Sequence, residues 1–429
     1  MLTDKGKVAV IGLGYVGLPL VIDFCAAGIQ VLGFDIDEKK VRTLQKGKSY
    51  IDYIAAENIA GFIYSGVFAP TSDFSRLREV ESIIITVPTP LNEYREPDLS
   101  FIVETAETIA AHLQKGQLIV LESTTYPGTS REVVLPLLEK SGYKVGQDFF
   151  LAYSPERVDP NNKNYRANDI PKLAGGITGL CRDKVIDLYS LVFKKLVPVS
   201  SVEVAEAGKL MENIFRSVNI AMVNEMKLLF DRMGIDIWEV IAASSTKPFG
   251  YMPFYPGPGL GGHCLPIDPF YLTWKARSYD FSTRFIELAG EINSAMPYHV
   301  VQKTADALNE RGKSVKGSRI LILGVAYKKN VDDVRESPAL KIAALLEKKG
   351  AQVCYHDPHI PEICGLRHYP DLVKRSLPLS EELLRTADGV LIVTDHDSID
   401  YDWVLQNSNL VIDTRNCVKG QGSDKLIKA

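Results

Sequence analysis

Residues 7–17 read KVAVIGLGYVG: a short β-branched, apolar run that feeds into Gly12, Gly14 and Gly17 in GxGxxG spacing, with a helical pattern after them. Each glycine has a physical reason in that setting. The first admits a tight turn off a strand, the second lets backbone approach a pyrophosphate, and the third lets helix and strand pack; the helix N-terminus adds the positive end of its dipole. Tyr15 and Val16 lie between these glycines and complete the candidate cradle. The next strand, Gln30–Phe34, ends in Asp35. A carboxylate there accepts from both ribose hydroxyls and repels a 2′-phosphate, so NAD is favoured over NADP.

Further strand-like runs follow at 82–87, 117–121 and 149–153, each leading into small or polar residues and a proline. Alternation of such runs with helical patterns predicts an α/β fold with an open parallel sheet, whose ligands lie outside the carboxyl ends of the strands. Thr89, Thr124 and Glu156 stand at those ends and are candidates for cofactor contact or chemistry. Capping or turn formation is the alternative role for each.

The chain has 429 residues, enough for two or three domains, with 46% hydrophobic and 24% charged residues. A net charge of −4 and a pI near 6.0 supply no basic field for nucleic acid. No charged, apolar and cleavable leader series is visible at the start, and no apolar run approaches the ~18 residues of a membrane span. Six scattered cysteines without CxxC spacing disfavour a zinc site and a disulfide framework, so no metal and a reducing, cytoplasmic setting are expected.

Between 202 and 233 there is no proline and one internal glycine, and apolar residues recur at helical spacing through Val204, Leu210, Met211, Ile214, Ala221 and Leu228. Lys209 and Asn213, four apart, share a face of this long helix among Met211, Ile214 and Ala221, where a charge is costly without a partner. Its surplus apolar surface makes it the natural place for a dimer contact. Residues 244–258 are dense in proline and aromatics, with Phe249, Tyr251, Phe254 and Tyr255 able to stack on a flat ring. The glycine-rich loop GPGLGGHCLPID, 257–268, then presents one thiol, Cys264.

The last third repeats the first: GSRILILGVA at 317–326, a helical stretch at 337–349, and a strand from 352 that leads to Asp357. This predicts a second doubly wound unit. Ala326 and Lys329 replace the second and third glycines, and the segment KKNVDDVRESP, 328–338, offers Lys328, Lys329 and Arg335 as side-chain phosphate donors instead.

Taken together, GLGYVGLP, TVPTP, ESTTYPGT, SPERVDP, the Lys209/Asn213 helix, GGHCLPIDP and KxxxDDxRxSP occur in the order found in the nucleotide-sugar 6-dehydrogenase family, and the chain resembles that family over nearly its whole length. The resemblance implies two Rossmann-like domains joined by a long central helix. It places NAD binding in 1–200, a helical dimerisation region with the cysteine loop in 201–300, and UDP-sugar binding in 301–429. It casts Cys264 as a nucleophile that carries a thiohemiacetal and then a thioester, Lys209 and Asn213 as oxyanion stabilisers, and Asp268 as a base or water-holder beside Thr124. Glu156 matches the carboxylate for thioester hydrolysis, and Arg335 a cofactor contact. Arg157, Val158, Tyr255, Gly261 and Lys328 join Glu156, Lys209 and Asn213 as substrate contacts.

Residues 246–264 lack the arginine usual in enzymes for UDP-glucose, which points to the branch acting on UDP-N-acetylhexosamines, with the gluco epimer favoured over the manno one. The implied setting is assembly of uronic-acid-containing surface polysaccharide by a homodimer or higher homo-oligomer. A hydroxyacid dehydrogenase of the 6-phosphogluconate type needs no cysteine, which argues against that reading. A non-catalytic NAD and UDP-sugar sensor would have no reason to keep Lys209, Asn213, Cys264, Asp268 and Glu156 together.

Overall fold

A computed structural model describes residues 6–51, 54–157, 167–262, 265–366, 369–370, 372–418 and 423–429. Two compact units emerge: Met1–Glu212 with Phe270–Ser282, and Asn213–Pro269 with Thr283–Ala429.

The first unit is built on β1 (Lys7–Ile11), β2 (Gln30–Phe34), β3 (Phe68–Thr71), β4 (Ser82–Ile85), β5 (Leu118–Leu121), β6 (Phe150–Tyr153), β7 (Lys172–Gly176) and β8 (Leu196–Pro198). They form one sheet in the order β3-β2-β1-β4-β5-β6-β7-β8, parallel except where β6 meets β7. The first six strands thus follow the doubly wound order. Because side chains alternate across a sheet, Val8 and Val10 of β1 enter one core with Leu18, Phe24 and Val31, while Ala9 and Ile11 enter another with Leu32, Phe34 and Ile83. Burial on both faces is why these strands read as unbroken apolar runs. Each fully buried side chain such as Phe24 contributes about 2–3 kcal/mol.

The second unit repeats the plan with β9 (Arg319–Leu323), β10 (Gln352–His356), a short hairpin of β11 (Glu362–Ile363) and β12 (Lys374–Arg375), then β13 (Gly389–Ile392), β14 (Val411–Asp413) and β15 (Leu426–Lys428). Its sheet is parallel throughout, in the order β10-β9-β13-β14-β15. The repeat extends to register. Lys7 pairs with Gln30 as Arg319 pairs with Gln352, and Ile11 with Ile85 as Leu323 with Ile392.

The central helix runs without interruption over Val202–Met233, about 48 Å at ~1.5 Å per residue. Among the described residues, no helix is long and apolar enough to cross a membrane.

Two sequence expectations shift. The run at 82–87 stops pairing at Ile85, because Thr86 turns back: its hydroxyl donates to the carbonyls of Ile11 (2.9 Å) and Gly12 (2.8 Å). On the central helix, Met211 does not surround Lys209 and Asn213; it is 68% exposed while both of them are buried. At ~100° per residue, Met211 lies about 200° around the axis from Lys209.

Candidate active site

The glycine turn after β1 shows what each glycine is for. Gly12 has φ +95°, and a Cβ there would lie 2.8 Å from the Thr86 carbonyl oxygen. At Gly17 a Cβ would lie 1.9 Å from the Gly12 oxygen and 2.5 Å from the Thr86 hydroxyl. At Gly14 it would meet no protein atom within 4 Å, so internal packing gives no reason for that glycine, whereas close approach of a dinucleotide does. The helix Gly17–Ala26 begins at Val16 with no side-chain cap; the Leu18 N–H is taken by the Gly14 carbonyl (3.0 Å) and Pro19 has none, so what the turn offers an anion is the positive end of the helix dipole and the N–H groups before Leu18. Asp35 is held by the N–H groups of Leu13 (3.0 Å) and Asp37 (2.9 Å), with the Lys40 ammonium 3.6 Å away. A carboxylate has about four acceptor positions, so two ribose hydroxyls remain within its capacity. The residues present fit NAD.

The loops at the carboxyl ends of β4 and β5 are tied together. The Ser123 hydroxyl donates to the Val87 carbonyl at 2.7 Å, and the Tyr271 hydroxyl to that of buried Thr89 at 2.8 Å. Thr124 follows Ser123 directly and is half-buried.

Glu156 and Arg157 leave β6 with different partners. Arg157 forms a two-pronged ion pair with Glu212 and donates to the Pro171 carbonyl, so much of its donor capacity is already engaged. Glu156 lies 3.5 Å from the Lys172 ammonium. Lys172 is itself buried at the start of β7, 2.9 Å from Glu122, which also accepts from the Tyr189 hydroxyl. Burial opposes the charge on Lys172, but Glu122 and Glu156 outweigh it and raise its affinity for a proton.

The central helix carries its polar residues inward. Glu206, Lys209, Asn213, Ser217, Asn224 and Lys227 are buried, while Val204, Met211, Phe215, Met222, Leu229 and Met233 are exposed. At ~100° per residue these are two stripes on opposite faces. Within the first unit, Glu206 accepts from the N–H groups of Gly128 (2.6 Å) and Ser130 (2.9 Å). Lys209 has no carboxylate in ion-pair range among the described residues.

Within the second unit, the Asn213 amide donates to Asp268 at 2.5 Å and accepts from Arg216. Asn224 bonds Asn293 at 2.9 Å and accepts from the Gly257 N–H at 3.0 Å, fixing the start of the glycine-rich loop. Further along, a Cβ at Gly261 would lie 2.8 Å from Tyr327, and one at Gly262 2.7 Å from the Tyr327 ring; the Gly262 N–H donates to the Arg335 carbonyl. Packing under Tyr327 is therefore one demand on Gly261. Of the four aromatics at 249–255, Tyr255 stacks on Trp238 at 5.8 Å and Phe254 meets Phe215 edge-on, so these two rings already have protein neighbours. Cys264 and Val158 lie outside the described residues.

In the degenerate second copy, Asp357 takes the place of Asp35 and receives the N–H groups of Val325 (2.7 Å) and Ala326 (2.9 Å). Unlike Asp35 it also meets a buried imidazole, with His396 Nε2 at 3.1 Å. Asn330 donates its N–H to His396 Nδ1, so the ring proton sits on Nε2 and points to Asp357. Burial alone would raise the Asp357 carboxyl, but His396 and the backbone donors hold it below its ordinary range. Lys329 pairs with Asp397 (2.7 Å) and Asp395 (3.5 Å), and Arg335 grips Asp333 through Nε and a terminal nitrogen. Lys328 lies in this loop, where Asn330 and Glu336 hold positive φ of 58° and 52°.

Several residues here carry no sequence signal. Thr86 bonds the Ile11 carbonyl, Lys172 bonds Glu122, Asn224 and Asn293 bond each other, and His396 bonds Asp357, across 39 to 75 positions. Arg415 joins them: its Nε donates to the Val393 carbonyl, and a Cβ at Gly257 would come within 2.7 Å of its guanidinium.

Comparison with known proteins covers most of the chain. Residues 6–193, 203–295 and 321–420 match, in turn, the NAD binding, central and UDP binding domains of the UDP-glucose/GDP-mannose dehydrogenase family. Among relatives, the UDP-N-acetyl-D-glucosamine 6-dehydrogenase of Pseudomonas aeruginosa is 36% identical over 392 residues, covering 91% of this chain and 90% of its own length. The structure of the UDP-D-ManNAc dehydrogenase of Pyrococcus horikoshii is similar with a TM-score of 0.88 at 30% identity, covering 98% of each chain. That of a UDP-glucose dehydrogenase from Pyrobaculum islandicum gives 0.85 at 26% identity, covering 99% of this chain and 97% of its own. With the doubly wound order, the NAD cradle and Asp35 already in place, the chain belongs to the UDP-glucose/GDP-mannose dehydrogenase family and is an NAD-dependent oxidoreductase of UDP-sugars.

Proposed function

We propose that the chain oxidises the C6 alcohol of UDP-N-acetylglucosamine to the carboxylic acid, in the supply of uronic acid for surface polysaccharide. In this reading residues 1–200 bind NAD, 201–300 carry the cysteine loop and the dimer contact, and 301–429 bind UDP. NAD, when bound, accepts the hydride of each of two oxidations. Cys264 adds to the intermediate aldehyde as a thiohemiacetal; loss of the second hydride leaves a thioester, and water then releases the acid and restores the thiol. Lys209 and the Asn213 amide stabilise the oxyanions, Asp268 holds water or a proton, and Glu156 activates the hydrolytic water.

The observation that carries this reading is the buried Asn213–Asp268 hydrogen bond. It places an amide donor and a carboxylate together at the end of the loop that bears Cys264, on residues that a helix and a turn would otherwise leave to solvent. The Pseudomonas relative supports the gluco epimer; the likeness to the Pyrococcus structure favours the manno epimer as the second reading.

The test is stoichiometry. Limiting UDP-N-acetylglucosamine, run to exhaustion with excess NAD, is expected to yield about two NADH per sugar, as passage through a thioester requires. One NADH per sugar would end the cysteine route. None, with UDP-N-acetylmannosamine active, would overturn only the sugar.

A further inference from the structure

We infer that Lys172 is the positioning residue for Glu156: a buried ammonium that fixes where this carboxylate sits for the hydrolytic half of the reaction. The inference rests on the reading of Glu156 as the hydrolytic base.

Lys172 touches two carboxylates, but they differ in kind. The Glu122 side chain is fully buried and also bonded by Tyr189, whereas the Glu156 side chain is 19% exposed at the carboxyl end of β6, where ligands of such a sheet lie. Lys172 Nζ is 2.9 Å from Glu122 and 3.5 Å from Glu156. The ammonium cannot swing away, because the faces of Tyr189 (5.2 Å) and Phe193 (4.9 Å) enclose it. A structural ion pair between β5 and β7 would be complete with Glu122 alone. The second contact reaches out of the core to a residue in the loop after β6.

The charges around Glu156 show what that contact does. Glu122 after β5 and Asp23 on the helix Gly17–Ala26 are acidic groups close enough to act on it, and Tyr189 contributes a neutral phenol. Its own Oε1 accepts the Arg157 N–H at 2.8 Å. Burial, and then the charge of Glu156, push the Asp23 carboxyl up to about 6. In such company Lys172 is the buried cation that holds the Glu156 carboxylate in place against its acidic neighbours.

Replacing Lys172 alone would strand Glu122 in the core, so the informative variant is Lys172→Met with Glu122→Gln. With excess NAD, the expected result is a burst of about two NADH per site, because both oxidations precede hydrolysis. Steady turnover then falls by roughly 10- to 100-fold, within the span that general-base assistance contributes. The burst keeps close to the parent rate, while Lys172→Arg, which keeps the charge, restores much of the steady turnover. Burst and steady turnover falling together in the double variant would overturn the inference, as would Lys172→Arg behaving like the methionine variant. Glu156→Gln separates the two ideas: parent-like turnover there would defeat the reading of Glu156 as base, whatever Lys172 does.

Discussion

Glu206 shows how a single buried carboxyl ties stability to pH. Burial is the largest influence on it and pushes it up to about 7, against the N–H donors of Gly128 and Ser130. An acid whose folded pKa exceeds its unfolded value binds more protons folded than unfolded in the interval between them. Its stabilising effect is therefore complete below an ordinary glutamate pKa, ~4.3, and is lost as pH climbs through about 7. At ~1.4 kcal/mol per pKa unit the loss is at most on the order of 4 kcal/mol. Glu206→Gln is expected to flatten the decline in urea midpoint between pH 5 and pH 8; a slope equal to the parent's would assign that decline to another group. Asp23, pushed up to about 6, acts in the same sense and remains in the variant as a background.

At the scale of elements, the glycine turn makes a separable pair of predictions. Gly14→Ala adds a methyl that meets no protein atom within 4 Å, so the melting temperature should hold while NAD affinity falls tenfold or more by calorimetry. Gly17→Ala drives a methyl to 1.9 Å from the Gly12 oxygen, so affinity and melting temperature should fall together. A Gly14→Ala chain that binds NAD like the parent would dissociate this turn from the cofactor. The turn was legible in sequence because its parts are contiguous, and so was Val202–Met233, where thirty-two residues of helical spacing match the observed bounds. Which face of that helix is buried was not legible. Apolar spacing predicts an inward stripe, whereas the tertiary fold turns Lys209 and Asn213 inward and Met211 outward. The Lys172–Glu122 pair and the Asn224–Asn293 bond were likewise hidden, because they join residues 50 and 69 positions apart. No local pattern encodes such pairs.

For the whole molecule, the outward stripe of Val204, Met211, Phe215, Met222, Leu229 and Met233 is the surface most in need of a cover. A second copy of the same helix fits a stripe with that spacing, since a two-fold contact sets like surface against like. If the proposed dimer forms through this stripe, Phe215→Glu with Met222→Glu converts it to monomer in sedimentation experiments, and an unchanged sedimentation coefficient would exclude the stripe as the contact.

The closed second copy bears on timing. His396 occupies the carboxylate of Asp357, the counterpart of Asp35, so among the described residues the second copy does not repeat the open carboxylate of the first, and the proposed four-electron reaction would be served by the first copy's cofactor turn. On that proposal, reduced cofactor departs and a fresh molecule arrives while the sugar is half oxidised. A free aldehyde would leak during the exchange, whereas the proposed carbon–sulfur bond would hold the intermediate in its queue until the second oxidant has docked.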